Sequence, residues 1–294
     1  MTGFVRTPEE RFVALPGFDF APNWLEWDGL RLHYLDEGSG PLVVLFHGEP
    51  TWSFLYRKVI PRITAAGFRA IAPDYPGFGK SDKPTDPAFY TYDRLTAAMR
   101  ALVDHLDLRE AAAVVQDWGG PIGLRVAVEA QGRFTRLSIL NTGLFTGGRS
   151  SDAFLAWRRF AEQHPDLPIG RVVSTAAATH WPDEVVAGYE APFPDQDHKV
   201  GAWRLPLIVP IHATDAGAAE MQAVAAALGG WARPVQVLFG DSDPMFTLRV
   251  AEQFARSIPG AGDVEVIEGA GHFLQEDKGE EVGASIVEFL RRSG

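Results

Sequence analysis

The sequence contains no cysteine among its 294 residues. Disulfide bonds, thiolate metal sites and a cysteine nucleophile are therefore excluded as the basis of its fold or chemistry. It also lacks an excess of positive charge, because 27 Lys and Arg stand against 38 Asp and Glu and give a formal net charge of −11. Since there is also no basic run, this balance argues against a nucleic acid or an anionic membrane as a partner.

Long apolar segments are missing as well. Residues 1–10 have no apolar stretch of the kind that signal peptides carry, and no run approaches the length of a membrane span. We therefore expect a soluble, cytoplasmic protein. The eight histidines form no H-E-x-x-H motif or other tight metal-ligand spacing, so the sequence predicts neither a metal site nor a cofactor.

The sequence does contain an alternation of short apolar runs and helical stretches. Runs typical of buried strands occupy 42–46, 68–72, 112–115, 137–140, 235–239 and 264–267, and helical stretches occupy 92–106, 121–129, 248–258 and 280–291. Near the start of the chain, two further strand-like segments flank Asp28-Gly29, a pair typical of a β-hairpin turn. Strands that alternate with helices predict βαβ units and a mostly parallel sheet.

This alternation stops at about Thr142 and resumes near residue 214. The intervening residues, 143–213, have no apolar strand run but contain helix-like patches at 153–163 and 183–189. We predict an α/β core domain made of 1–142 and 214–294, interrupted by a helical cap at 143–213. The insertion follows a strand, and loops at the carboxyl ends of parallel strands line the ligand crevice of open α/β sheets. The cap is therefore a candidate lid over a binding site.

The segment 114–120 ends a buried strand and begins a helix within two or three residues, with two glycines directly after the turn. This pattern is typical of a nucleophile elbow, a strained turn that exposes one side chain above the edge of the sheet. Asp117 occupies the position at which serine hydrolases carry their nucleophile. The alternative interpretation is that Asp117 only caps the helix that follows.

A carboxylate nucleophile needs a base that activates water and a third group that orients the base. In folds with such an elbow, the acid and then the histidine follow the nucleophile along the chain. Asp241 and Asp243 follow one predicted strand, and His272 follows the next. Either aspartate can be the acid, because one of the two can simply close the turn through its own side chain.

Another candidate element, His47-Gly48-Glu49-Pro50-Thr51-Trp52, directly follows the buried strand 42–46. A His-Gly turn at this place would present a backbone N–H beside the elbow, as oxyanion holes require.

Together these motifs resemble the haloalkane dehalogenases of the α/β-hydrolase superfamily, and the resemblance covers nearly the whole chain. It rests on the segments 47–52, 74–84 and 116–120, the loop with Asp243, and Gly271-His272. Asp117 followed by Trp118 is its most specific element. The resemblance implies an α/β-hydrolase fold with a mostly parallel central sheet flanked by helices and an inserted helical cap. It further implies that a small apolar halogenated substrate reacts with water to give a primary alcohol and a halide ion, without a cofactor.

The resemblance also implies roles for individual residues. Asp117 would be the nucleophile, which forms an alkyl ester, and His272 would be the base. The acid that follows the seventh strand in one branch of the family corresponds to Asp243. Another branch carries its acid after the sixth strand, where this chain has Asn141, which cannot ionise.

The remaining implied roles concern the oxyanion and the halide. The backbone N–H groups of Glu49 and Trp118 would form the oxyanion hole, and the Glu49 side chain would help to hold the water. The halide would lie between Trp118 and a tryptophan of the cap. Trp157 is the match for that tryptophan, with Trp181 and Trp203 as alternatives.

Two other functions are compatible with this pattern. An epoxide hydrolase has the same Asp-His-Asp logic, but its alkoxide leaving group needs proton-donating tyrosines in the cap. The predicted cap contains one tyrosine, Tyr189, against three tryptophans, which favours halide as the leaving group. A binding protein that has lost its chemistry is disfavoured by the complete triad.

Overall fold

The computed structural model of this chain describes residues 3–130, 132–148 and 150–294. Its strands are β1 Phe4–Val5, β2 Asn23–Trp27, β3 Leu30–Gly38, β4 Leu42–Phe46, β5 Arg69–Pro73, β6 Lys83–Pro84, β7 Ala111–Gln116, β8 Phe134–Leu140, β9 Val235–Gly240 and β10 Ala261–Ile267. Its α-helices are α1 Ile60–Ala65, α2 Tyr92–His105, α3 Gly119–Glu129, α4 Asp152–Gln163, α5 Ile169–Thr175, α6 Asp183–Glu190, α7 Val200–Ile208, α8 Ala218–Leu228, α9 Leu248–Ser257, α10 Leu274–Asp277 and α11 Gly279–Arg292. Short 3-10 helices occupy Glu9–Phe12, Ser53–Tyr56, Pro87–Phe89 and Gln196–Lys199.

Eight strands form one sheet in the order β10-β9-β8-β7-β4-β5-β3-β2. All neighbours from β10 to β5 pair in parallel, whereas β3 pairs antiparallel with both β5 and β2. The β2–β3 hairpin turns at Asp28 and Gly29, whose φ angles of 51° and 76° suit the two-residue turn that the sequence predicted. β1 and β6 form a separate antiparallel pair. The predicted fold class, an α/β fold around a mostly parallel sheet, is confirmed.

Both faces of this sheet are covered by helices. Alternate side chains of β4 and β7 point to opposite faces and belong to two different buried clusters. One cluster contains residues of α2, α3, α8 and α9, and the other contains residues of α1 and α11. Burial on both faces explains why the central strands are continuous apolar runs and do not alternate with polar residues.

The helices α4 to α8 lie between β8 and β9, and the described residues of this stretch contain no strand. Helix α4 packs against α7 and α5 packs against α6, whereas α8 packs against α3 on the sheet. The helix-like patches at 153–163 and 183–189 correspond to α4 and α6. The sequence did not predict α5 or α7. Helix α5 contains the adjacent β-branched residues Val172 and Val173, and α7 contains Pro206 in its interior.

Two strands begin earlier than the apolar runs that predicted them. β8 begins at Phe134 and β10 at Ala261. Their first residues include half-buried and exposed polar side chains, such as Arg136 and Asp263, that the apolar pattern could not include. Among the described residues, no helix is long and apolar enough to cross a lipid bilayer.

Candidate active site

Asp117 lies in the turn between β7 and α3, with a φ of 50°. This left-handed conformation is uncommon for a residue other than glycine, and it needs support from its surroundings. The Asp117 N–H donates to the carbonyl of Asn141 at 3.0 Å, and the Asp117 carbonyl accepts from Thr142 Oγ1 at 2.6 Å. A Cβ added to Gly48 would lie 2.4 Å from the Asp117 Cβ, so only glycine fits opposite this turn. The strand–turn–helix geometry is that of an elbow.

The structure brings Asp117, His272 and Asp243 together. His272 Nδ1 lies 2.9 Å from Asp243 Oδ2, and His272 Nε2 lies 3.6 Å from Asp117 Oδ2. The other oxygen of Asp243 accepts the backbone N–H groups of Met245 at 2.7 Å and Phe246 at 3.1 Å. All three side chains are buried, so the protein shields their contacts from bulk water.

Asp241 occupies a different position. It is exposed, and its carboxylate accepts the Gly269 N–H at 2.9 Å and the Ser242 hydroxyl at 2.8 Å. It therefore joins the loops that follow β9 and β10 from the outside, while Asp243 is the aspartate in contact with the imidazole.

The charge state of His272 follows from its two carboxylate neighbours. Burial lowers the pKa of His272, but the carboxylates of Asp243 and Asp117 outweigh burial and raise the pKa to about 10. At neutral pH the imidazole is therefore protonated when both carboxylates are ionised.

Glu49 is buried beside the elbow. Its backbone N–H donates to Asp117 Oδ1 at 2.6 Å. Burial raises the pKa of the Glu49 carboxyl well above its ordinary value, and the charge of Asp117 raises it further, whereas His272 and the indole N–H of Trp157 act in the opposite direction. The site thus favours the neutral acid form of Glu49.

Two residues at the ends of central strands hold the loop that carries His272. Gln116 Nε2 donates to the His272 carbonyl at 3.1 Å and lies 3.4 Å from His272 Nε2. Asn141 donates to the carbonyls of Gly271 at 2.8 Å and His272 at 3.2 Å, and its Oδ1 accepts the Gly240 N–H at 2.9 Å. The sequence pattern did not predict a role for either residue, although both are polar residues at the carboxyl end of a buried strand.

A cavity of about 510 Å³ reaches His272 and Glu49 from the side of α4 and α5. Its wall is mainly apolar and includes Trp157 and Phe160 of α4 and Val172 of α5. Such a cavity suits a small apolar molecule. Within the described part of the chain, no group of three or more His, Asp or Glu side chains could hold a metal ion.

The four tryptophans singled out by the sequence differ in their surroundings. Trp118 directly precedes α3 and is buried in the cluster against which Trp157 and Trp203 pack. Trp181 belongs to the other cluster, and its indole N–H donates to Asp277 Oδ1 at 3.1 Å. The buried indole N–H of Trp203 has no hydrogen-bond partner among the described residues. Of Trp157, Trp181 and Trp203, Trp157 is the one that lines the cavity.

Comparison with known proteins agrees with this geometry. A family model described as the alpha/beta hydrolase fold matches residues 41–279. The haloalkane dehalogenase of Mycobacterium marinum is 44% identical over 292 residues, which cover 96% of this chain and 98% of that protein. The haloalkane dehalogenase of Psychrobacter cryohalolentis is 41% identical over 296 residues and covers 97% of each chain.

A solved structure extends the comparison to three dimensions. The haloalkane dehalogenase DpaA from Paraglaciecola agarilytica NO2, whose structure is described as tetrameric, matches this chain with a TM-score of 0.92 and 35% sequence identity. The match covers 96% of this chain and 97% of DpaA. Sequence identity and fold therefore agree over nearly the full length, and the chain belongs to the haloalkane dehalogenases, enzymes with the α/β-hydrolase fold.

Proposed function

We propose that this enzyme converts small apolar haloalkanes to primary alcohols and halide ions through a covalent alkyl ester on Asp117. The observation that carries the proposal is the position of the Asp117 carboxylate. One of its oxygens accepts the Glu49 N–H, the other lies 3.6 Å from His272 Nε2, and an apolar cavity ends at His272 and Glu49.

In the first step, a carboxylate oxygen of Asp117 attacks the sp3 carbon of the substrate. A carbon–oxygen bond forms, the carbon–halogen bond breaks, and the halide leaves with the bonding electron pair. Halide is a very weak base, so it needs hydrogen-bond donors and not a proton. The indole N–H groups of Trp118 and Trp157 supply these donors, since the indole of tryptophan can only donate.

In the second step, neutral His272 takes a proton from a water molecule, whose oxygen attacks the ester carbonyl. The tetrahedral oxygen that forms accepts hydrogen bonds from the backbone N–H groups of Glu49 and Trp118. The intermediate then releases the alcohol, which receives its proton from His272, and leaves Asp117 as a carboxylic acid with one oxygen from water. This acid loses the remaining proton of the water molecule to solvent, which restores the Asp117 carboxylate. Asp243 holds the imidazole in the required tautomer and stabilises its charged form.

We assign the cap to residues 143–213 and the core to 1–142 and 214–294. The packing of α4 on α7 and of α5 on α6 supports this division, and so does the packing of α8 on α3 of the core. Since α4 and α5 supply much of the cavity wall, the cap sets the size of the substrate.

Epoxide hydrolysis is the alternative, but no observation favours it. The hydroxyl of Tyr189, the one tyrosine of the proposed cap, donates to Glu276 Oε2 at 2.8 Å in the buried cluster that also contains Trp181. It is therefore not free to protonate an epoxide oxygen at Asp117.

The covalent mechanism is tested by a single turnover of a bromoalkane in water enriched in ¹⁸O. We expect the first label in the carboxylate of Asp117, because water attacks the aspartyl carbonyl. Label that enters only the alcohol would refute the ester. In parallel, His272→Phe should form the ester but not hydrolyse it, so that intact-mass measurement finds the alkylated protein.

The reaction class is tested by halide release from a panel of bromoalkanes, with a panel of epoxides as the comparison. Turnover of epoxides without turnover of bromoalkanes would reverse the choice between the two functions.

A further inference from the structure

The chain between α5 and α6 lies directly on the loop that carries His272. The His272 N–H donates to the carbonyl of Ala176 at 3.0 Å. A Cβ added to Gly271 would lie 2.7 Å from the Ala178 nitrogen and 2.8 Å from the Ala176 oxygen. The two backbones are therefore so close that residue 271 has no room for a side chain.

A single carboxylate, that of Asp277 at the end of α10, joins these two segments. Asp277 Oδ2 accepts the backbone N–H groups of Gly271 and Ala178, both at 2.9 Å. Asp277 Oδ1 accepts the Thr179 N–H at 3.1 Å, the Trp181 indole N–H at 3.1 Å and the Thr179 hydroxyl. One of the five donors belongs to the His272 loop, and the other four belong to the segment 178–181. Hydrogen bonds to an ionised acceptor are the stronger kind.

We propose that Asp277 is a positioning residue for ester hydrolysis, which fixes the His272 loop against the cap and so maintains the distance between His272 Nε2 and Asp117. This inference rests on the proposed function, in which His272 acts in the second step. The first step uses the Asp117 carboxylate and the indole donors and does not use His272. Loss of Asp277 should therefore slow hydrolysis and leave alkylation nearly unchanged.

The informative variant is Asp277→Asn, which keeps the size of the side chain. The amide NH2 group of asparagine cannot accept a hydrogen bond. The N–H groups that bind one of the two carboxylate oxygens of Asp277 would therefore lose their acceptor. Displacing a catalytic group by about 1 Å can cost about a hundredfold in rate. We expect the hydrolysis rate constant to fall about tenfold to a hundredfold and the alkylation rate constant to change by less than about twofold. Alkylated protein should then accumulate at steady state.

The measurement is rapid-quench analysis of a short bromoalkane, with bromide, alcohol and intact protein mass followed separately, together with the melting temperature of each variant. Asp241→Asn is the matched control, because it removes the charge from the acceptor of the Gly269 N–H in the same loop without contacting the cap. It should not accumulate ester. Thr179→Val removes one donor from the cap side and should give a smaller accumulation, which keeps the proposal testable if Asp277→Asn fails to fold.

His272→Phe separates the two levels of the argument. If His272→Phe accumulates ester while Asp277→Asn and Thr179→Val do not, the positioning role is wrong and the proposed function stands. If His272→Phe itself accumulates no ester, the proposed function fails. Equal losses in alkylation and hydrolysis with a lowered melting temperature would make Asp277 a purely structural residue and would also overturn the inference.

Discussion

Formation of the ester should change the protonation state of His272. In the free enzyme, the carboxylates of Asp243 and Asp117 overcome burial and raise the pKa of His272 to about 10. The ester removes the charge of Asp117, whose Oδ2 lies 3.6 Å from His272 Nε2. At an effective dielectric constant of about 20, this charge pair is worth about 5 kcal/mol. That energy corresponds to a change of about a few thousandfold in the acid dissociation constant, so the pKa of His272 falls well below its value in the free enzyme. In the proposed mechanism, alkylation of Asp117 would therefore prepare His272 to act as a base.

The rates of alkylation and of ester hydrolysis should therefore depend differently on pH. Below the lowered pKa of His272, the imidazole of the ester form is protonated and cannot accept a proton from water, so hydrolysis should slow about tenfold for each further pH unit. Above that pH, hydrolysis should become independent of pH. Alkylation involves no proton transfer and should change by less than about threefold over the same range.

The two rate constants can be separated by rapid-quench single turnovers of a short bromoalkane between about pH 5.5 and 9, with bromide reporting alkylation and alcohol reporting hydrolysis. Identical pH profiles for bromide and alcohol would refute the reasoning. A midpoint for hydrolysis that stays near pH 10 would show that the charge of Asp117 does not control His272.

Two further predictions concern residues that compete for one role. Asp243→Ala should lower turnover by about a thousandfold or more, because the imidazole loses its orienting acceptor, whereas Asp241→Ala should keep most of the activity. Steady-state kinetics of both variants checks this prediction, and the reverse pattern would exchange the roles of the two aspartates. Trp157→Phe should slow alkylation about tenfold to a hundredfold and weaken halide binding, since a hydrogen bond to a charged group is worth about 1.5–3 kcal/mol. Trp181→Phe should leave halide binding unchanged because its N–H is donated to Asp277, and halide titration followed by tryptophan fluorescence would expose an error if the two variants behaved alike.

The core of the site could be predicted from the sequence because its residues lie at the ends of strands. Local patterns fix where a buried strand stops, and the next residue then lies at the carboxyl edge of the sheet. Asp117, Asp243 and His272 each follow such a strand, and the structure brings all three into contact. Asn141 and Gln116 lie at strand ends too, but an amide side chain gives no chemical signal in the sequence.

The contacts of the cap could not be predicted in this way. Helix α7 contains a proline, and α5 contains adjacent β-branched residues, so local propensity disfavoured both. The hydrogen bonds between Asp277 and the segment 178–181 join residues that are 96 to 99 positions apart, as in those from Trp181 and Ala178. No spacing rule connects such residues. Only long-range packing determines that the Trp181 indole N–H donates to Asp277 while Trp157 lines the cavity.

The charge state of Glu49 bears on the halide site that we propose at Trp157. An ionised carboxyl beside the Trp157 indole would repel a departing halide and compete with it for the N–H donor. Burial and the charge of Asp117 raise the pKa of Glu49 well above its ordinary value, which makes the uncharged acid more favourable than it is in water. A neutral Glu49 would compete less strongly than a carboxylate for the Trp157 N–H and would still present a polar group to water. In the mechanism that we propose, the same burial that makes Glu49 costly to ionise would therefore allow one small cavity to serve both the halide and the hydrolytic water.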